Sequence, residues 1–434
     1  MPTEASLQTM TLKVFKFGGA SVSSIERIKN LTDILKNHAG EKLLIVISAM
    51  GKTTNALEKV VDAFFNKEKE EALQLFLTIK NEHLAMFFKL TDQTASSSTN
   101  PLNDFFTEVE WLLHDKPVRN YDYYYDQIVP VGELLSTNIV SHYLNKAGIK
   151  NKWIDVRDII RTDNNFRDAN IDWHFTKEKV QEVIQPLFEV GDIVLTQGFI
   201  GATDENQNTT LGREGSDYTA AVFANLLDAE SQTIWKDVQG VMNADPKLYG
   251  KAQWIKELSY KEVIEMAYYG AQVIHPKTIK PLQNKNIPLF VKSFLTPGAE
   301  GTIIYNKSTA QLPPIIVYKK AQALVQLSSR DFSFVGEGLT TKVYEIVENL
   351  KFKPNLTQNA AISLLMVMDD YGDKVEAFAL QAAAFFDVQL MKDLTLLTIR
   401  HYNKEILNEL TADCKIILKQ QTLETVQVLL KLEN

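Results

Sequence analysis

Apolar positions follow two alternating rhythms over the first 240 residues. Val14, Phe15 and Phe17 form a short run that Gly18-Gly19 breaks. Ser23-Ser24 then open a segment with Ile25, Ile28, Leu31, Ile34 and Leu35 spaced three or four apart. The first pattern predicts a buried strand and the second a helix with one apolar face. Leu43 to Ile47 and Ile193 to Thr196 repeat the strand pattern without polar alternation, as in a parallel sheet covered on both faces. Residues 56 to 92 read as helical, with Leu73, Phe76, Leu77 and Ile79 as an inner face. Residues 94 to 101 read as a loop, and 102 to 115 resume a helix. The run Tyr121 to Tyr125 reads as packing between adjacent helices. Strands alternating with helices predict the α/β class.

Three small or glycine-rich turns lead into helices, the first two of them at the ends of these strands. The first turn is Gly18-Gly19, with Lys16 at the strand's end. The second is Ser48 to Asn55. The third is Thr209-Thr210-Leu211-Gly212-Arg213-Glu214-Gly215-Ser216-Asp217, followed by a helical run through Ala221, Phe223, Ala224 and Leu227. Ser216 and Asp217 are predicted N-cap residues. Glycines let backbone approach a ligand, and a helix start favours an anion. Lys16 can reach the same phosphate as a point charge. Taken alone, it reads equally well as a solvated strand-end lysine.

Bulk properties narrow the class. At 434 residues two or three domains are expected. A net charge of −8 with no long basic run argues against nucleic acid as a partner. Cys414 is the only cysteine, so no disulfide forms within one chain, which favours a reducing cytoplasm. Residues 1 to 10 lack a secretory pattern, and no apolar run approaches a membrane span.

The motifs together resemble the aspartokinases of the amino-acid kinase superfamily. The matching pieces are Lys16 to Val22, Ser48 to Asn55, Val131-Gly132-Glu133-Leu134-Leu135-Ser136 and Gln197 to Gly201. Thr209 to Asp217, Ile234 to Val241, Ala244-Asp245-Pro246 and Tyr269 to Pro276 follow in family order. The resemblance implies a three-layer αβα kinase domain with a mainly parallel sheet over residues 11–305. Ferredoxin-like ACT domains then follow at 315–390 and 391–434, the second of them short. It implies transfer of the γ-phosphoryl of ATP, carried as ATP·Mg²⁺, to the β-carboxylate of L-aspartate. That reaction opens lysine, threonine and methionine synthesis.

The resemblance also assigns roles. Lys16 meets the transferring phosphoryl group, with Gly18, Gly19 and Ser48 lining the phosphates. Arg213 takes the α-carboxylate as a bidentate fork, and Glu133 takes the α-ammonium. Thr54, Ser216 and Asp217 complete the aspartate pocket, and Asp217 also organises Lys16. Lys236, Asp237, Met242, Asp245, Lys247 and Gln272 fall on the nucleotide side. No protein-built metal site is expected.

Four departures stand out: Glu214 where glycine is common, Ala20 for threonine, Met242 for a tyrosine, and Gln272 for a lysine. Glu214 must lie in an ordinary backbone region or carry strain. After Pro313-Pro314, Ala323 to Leu327, Ser363 to Met368 and Leu394 to Ile399 read as strands. Thr340 to Leu350 and Lys374 to Phe385 read as helices. The effector-side segment, Asn359 to Ser363, diverges from the family's pattern. Weak or absent feedback by lysine or threonine is expected, with a homodimer or higher homo-oligomer formed through the C-terminal region. No homoserine dehydrogenase module follows, so a monofunctional enzyme is expected. The alternatives are a kinase for another small carboxylate such as glutamate, and a non-catalytic amino-acid-binding regulator.

Overall fold

The computed structural model describes residues 11–93, 100–307, 311–331 and 334–432. Most of the expected loop at 94–101, and the N-terminal segment, lie outside these. The described residues form two compact units. The first spans residues up to Val241 together with Trp254–Ile264 and Val273–Thr309, and the second holds Met242–Gln253, Glu265–Gln272 and the chain from Ala310 on.

The first unit is built on an eight-stranded sheet. Its strands are β1 (Leu12–Phe17), β2 (Lys42–Ile47), β3 (Lys152–Ile154), β4 (Ile193–Gln197), β7 (Ser231–Lys236), β8 (Glu257–Ser259), β9 (Leu289–Ser293) and β10 (Thr302–Tyr305), in the order β3-β4-β2-β1-β7-β9-β10-β8. A separate hairpin joins β5 (Ile200–Ala202) to β6 (Asn208–Thr210). All pairs in the large sheet are parallel except β9 with β10. Val14, Phe15 and Phe17 are buried, as a strand covered on both faces requires. Phe17 pairs with Ile47 on one side and Trp235 on the other, and Ile47 pairs with Gln197. The C-terminal ends of β1, β2, β4 and β7 therefore lie level. Ligands bind outside such ends in open α/β sheets.

The helices of this unit are α1 (Ile25–Lys36), α2 (Thr53–Phe65), α3 (Lys69–Thr91), α4 (Asn103–His114), α5 (Tyr121–Ile128), α6 (Val131–Lys146), α7 (Trp173–Lys179), α8 (Leu187–Val190) and α9 (Gly215–Leu226), with α11 (Pro276–Lys285) later in the chain. Between β8 and α11, α10 (Tyr260–Tyr268) passes from the first unit to the second. The helical stretch predicted at 56–92 is two helices, because Lys67 takes a left-handed φ of 67° between them. Leu77 is exposed, unlike Phe76 and Ile79. The buried spacing of α3 runs through Phe76, Ile79, His83, Phe87 and Leu90, which turns Leu77 outward. The tyrosine run packs on α2: Tyr124 meets Phe64 edge-on at 5.1 Å, and Tyr121 Oη donates to Asp62 at 2.7 Å.

The second unit carries one antiparallel sheet with order β12-β13-β11-β14-β16-β15. Its strands are β11 (Ile315–Ser328), β12 (Leu356–Asn359), β13 (Ser363–Asp369), β14 (Asp387–Arg400), β15 (Cys414–Gln421) and β16 (Thr425–Leu432). Its helices are α12 (Glu337–Asn349), α13 (Asp373–Ala382) and α14 (Lys404–Thr411). The run β11-α12-β12-β13-α13-β14, with sheet order β14-β11-β13-β12, is the ferredoxin-like split βαβ pattern. Next to it, β14, β15 and β16 form the same arrangement, and the N-terminal half of β11 fills the fourth strand position through Ile315 to Lys319 against Leu396 to Arg400. The short final segment thus shares a strand with the segment before it.

Candidate active site

Two loops interlock at the level strand ends. A Cβ on Gly19 would come within 2.5 Å of the Ala49 carbonyl, so only glycine lets the turns after β1 and β2 meet. The Gly51 N–H donates to Gly19 O at 3.0 Å, and the Ser48 N–H to Phe17 O at 3.1 Å. Beneath them, Ser136 Oγ donates to Ser48 O at 2.8 Å, tying α6 to the same loop. Gly198, just past β4, packs on Ser216; a Cβ there would meet the Ser216 Cβ at 2.5 Å. The starts of α6 and α9 are thereby fixed to the ends of β1, β2 and β4.

Three ionisable side chains converge in this frame. Lys16 Nζ lies 2.6 Å from Asp217 Oδ1, and both side chains are largely buried. The two meet outside hydrogen-bond geometry, so the contact is a pairing of charges. Glu133 is 3% exposed, and its Oε1 accepts the Ala49 N–H at 3.3 Å. Its Oε2 is buried without a hydrogen-bond partner among the described residues. Burial pushes the Glu133 carboxyl up to about 8, against the pull of the Ala49 N–H and of Lys16. Buried polar atoms are nearly always satisfied, so this orphan oxygen marks a place for a partner that the described residues do not supply.

The expected N-cap is corrected by the structure. Helix α9 starts at Gly215 with Glu214 as N-cap, so Ser216 and Asp217 sit inside its first turn. This frees the Asp217 carboxylate to face Lys16. Glu214 has φ 53° and ψ 29°, the left-handed region, so the strained alternative holds. Such a residue costs of order 1 kcal/mol. Its carboxylate is used: Oε2 accepts the His275 N–H at 2.8 Å, at the N-cap of α11, where the helix dipole favours negative charge.

The remaining predicted residues form no hydrogen bond or ion pair with this trio among the described residues. Thr54 is half-buried in the first turn of α2. Arg213 is exposed on the turn between Gly212 and Glu214 and forms no ion pair among the described residues. Lys236 Nζ donates to Val273 O at 2.8 Å, and Asp237 is exposed beside it. Met242, Lys247 and Gln272 belong to the second unit. There Asp245 Oδ1 accepts the Lys247 N–H at 2.9 Å and shapes the turn. No group of three or more His, Cys, Asp or Glu among the described residues could hold a metal ion.

One supporting residue escaped the sequence. Asp126 is fully buried on α5, and its carboxylate accepts the Arg167 N–H, the Thr210 N–H and the Thr210 hydroxyl at 2.9, 2.8 and 2.7 Å. It clamps the strand that leads into Gly212 and Arg213. Burial raises its carboxyl to about 7 despite those donors. Asp126→Asn removes one acceptor and leaves a donor facing donors. A loss of about 1–3 kcal/mol in denaturant unfolding is expected, and unchanged stability would contradict the clamp.

The Amino acid kinase family profile matches residues 11–293. The lysine-sensitive aspartokinase 3 of Escherichia coli is 29% identical over 413 residues, covering 93% of this chain and 88% of that protein. The chloroplastic aspartokinase 2 of Arabidopsis thaliana is 32% identical, covering 82% of this chain and 66% of that one. The crystal structure of E. coli aspartokinase III with aspartate and ADP superposes with a TM-score of 0.81 at 27% identity, covering 96% of each chain. The chain belongs to the amino acid kinase family, and the relatives it matches there are aspartokinases.

Proposed function

We propose that the protein is an aspartate kinase, transferring the γ-phosphoryl of ATP to the β-carboxylate of L-aspartate. The observation that carries this reading is the buried trio of Lys16, Asp217 and Glu133 at the strand ends, one carboxylate paired and the other with an open oxygen. The β-carboxylate is already an anion, so the reaction needs no strong base. It needs two anions brought together in line. An oxygen of the β-carboxylate attacks the γ-phosphorus, the bond from that phosphorus to the bridging oxygen breaks, and ADP leaves with the electron pair.

Lys16 cancels charge on the transferred group, and Asp217 holds its ammonium in place. Gly18, Gly19 and Ser48 line the phosphates with backbone and hydroxyl groups. Glu133 receives the substrate ammonium at its open oxygen, and Arg213 receives the α-carboxylate, with Thr54 and Ser216 closing that pocket. Lys236 and Asp237 meet the nucleotide in this reading, and Met242, Lys247 and Gln272 are assigned to it as well. Mg²⁺ would accompany the ATP, held mainly by phosphate oxygens and water, and would lower the charge on the triphosphate. The enzyme is monofunctional and cytoplasmic and forms a homodimer or higher oligomer through residues 315–434. Its kinase domain covers 11–305, with ACT-like repeats at 315–390 and 391–434 that give weak or no feedback by lysine or threonine.

The Glu133 carboxyl gives a signed pH prediction. Its native value of about 8 exceeds the ordinary 4.5, so the ligand-free protein holds a proton there that the unfolded chain has released. Between those pH values its contribution to stability falls as pH rises. The substrate ammonium needs the ionised form, so aspartate binding releases this proton. KM for aspartate should fall as pH rises toward about 8, by at most about tenfold per unit, and Glu133→Gln should flatten the profile. A wild-type KM that is flat over this range would remove Glu133 from the ammonium site. The activity itself is tested by its product. Hydroxylamine should trap an acyl phosphate as aspartyl hydroxamate only when ATP and aspartate are both present.

A further inference from the structure

A cavity of about 280 Å³ lies between α2 and α3 beside the turn Met50 to Thr53. None of the residues proposed above for aspartate lines it. His83 does, and it is 3% exposed. The His83 Nδ1 lies 2.8 Å from the Ile79 carbonyl, which can only accept, so Nδ1 carries the proton. Burial holds this imidazole below its ordinary value, so the ring is neutral and Nε2 is an acceptor. The nearest hydroxyl, Thr53 Oγ1, is 3.5 Å away and gives its proton to Met50 O at 2.7 Å. Thr53 therefore offers Nε2 only a long contact, and a donor from a ligand in the cavity that His83 lines would satisfy this buried acceptor better.

The rest of the lining defines that ligand. The exposed Glu82 and Lys52 bring one negative and one positive charge to the rim. Met50, Ile79 and Met86 supply apolar wall. An inner acceptor, two opposite charges and an apolar wall complement a zwitterion with an apolar side chain. We propose that this cavity binds a free L-amino acid of about leucine or methionine size. Its ammonium faces His83 and Glu82, its carboxylate faces Lys52, and its side chain lies against Met50, Ile79 and Met86. The turn that walls the cavity leads directly into Thr54, so occupancy changes the affinity for aspartate. That coupling, unlike the binding itself, rests on the aspartate-kinase reading.

Calorimetric titration of the full chain with L-leucine and L-methionine tests the binding without any enzymatic readout. Saturable one-site binding is expected. N-acetyl-L-methionine, which lacks the ammonium, should bind at least about tenfold more weakly. Lys52→Gln and Glu82→Gln should each weaken binding by a similar factor. Both residues are exposed, so the variants keep the fold, and a matching thermal midpoint checks this. No saturable binding by either amino acid would overturn the proposal. So would binding that both variants leave unchanged, since the ligand would then sit elsewhere. If binding holds while KM for aspartate does not move, the site stands and the coupling fails.

Discussion

Lys16→Ala should lower kcat by on the order of 10²-fold or more, with a much smaller change in either KM. Lys16 is the cation placed where the strand ends and the two glycine-rich loops meet, and a preorganised charge of this kind acts on charge developing in the transition state. Its ammonium is fixed at 2.6 Å from the buried Asp217, so it needs no reorganisation when the phosphoryl group moves. Removing it also leaves Asp217 as an unpaired buried carboxylate, so some loss of stability accompanies the loss of rate. Lys16→Arg separates the two effects: it restores the pairing charge but not the compact point charge, and should recover stability ahead of kcat. A kcat for Lys16→Ala within a few-fold of wild type would remove Lys16 from the chemical step.

Arg213→Lys should raise KM for aspartate by roughly tenfold to a hundredfold and leave KM for ATP nearly flat. Arg213 is exposed and forms no ion pair among the described residues, so its guanidinium fork is available to a ligand. Two parallel N–H bonds to a carboxylate need a planar fork, which lysine lacks. The backbone beneath the fork is fixed by left-handed residues on both sides, Gly212 at 77° and Glu214 at 53°. If KM for ATP rises instead, Arg213 faces the triphosphate and the two halves of the site are exchanged.

How much of this was legible in the sequence depends on how far apart the partners lie. Lys16, Gly18 and Gly19 share one turn with its strand. Ser48, Glu133 and Asp217 lie far apart in sequence, and it was the family resemblance, not the apolar patterns, that brought them together at the C-terminal ends of the parallel strands. Glu214 and His275 are 61 residues apart, and nothing local signals that one carboxylate caps the other's helix. Asp126 was hidden for the same reason, with partners 41 and 84 residues away.

The C-terminal strands were read too short for a different reason. Ala321 and Asp393 take left-handed φ values of 51° and 59° inside β11 and β14, where the pairing shifts register. The extra residues interrupt the period-two alternation on which a strand prediction depends. In β11 the apolar runs Ile315 to Tyr318 and Ala323 to Leu327 are split by Lys319-Lys320, so the two halves do not read as one strand. Helix α14 is only eight residues long, and its apolar face of Ile406, Leu407 and Leu410 packs partly buried on the sheet, a signal too short to stand out in the sequence.

The central claim is that this site phosphorylates aspartate. ADP release should be followed with ATP and Mg²⁺ while L-aspartate, L-glutamate and acetate are offered separately. Release that saturates with aspartate and stays near background with the other two is the predicted result. Release that favours glutamate or acetate, or that no carboxylate stimulates, would contradict it.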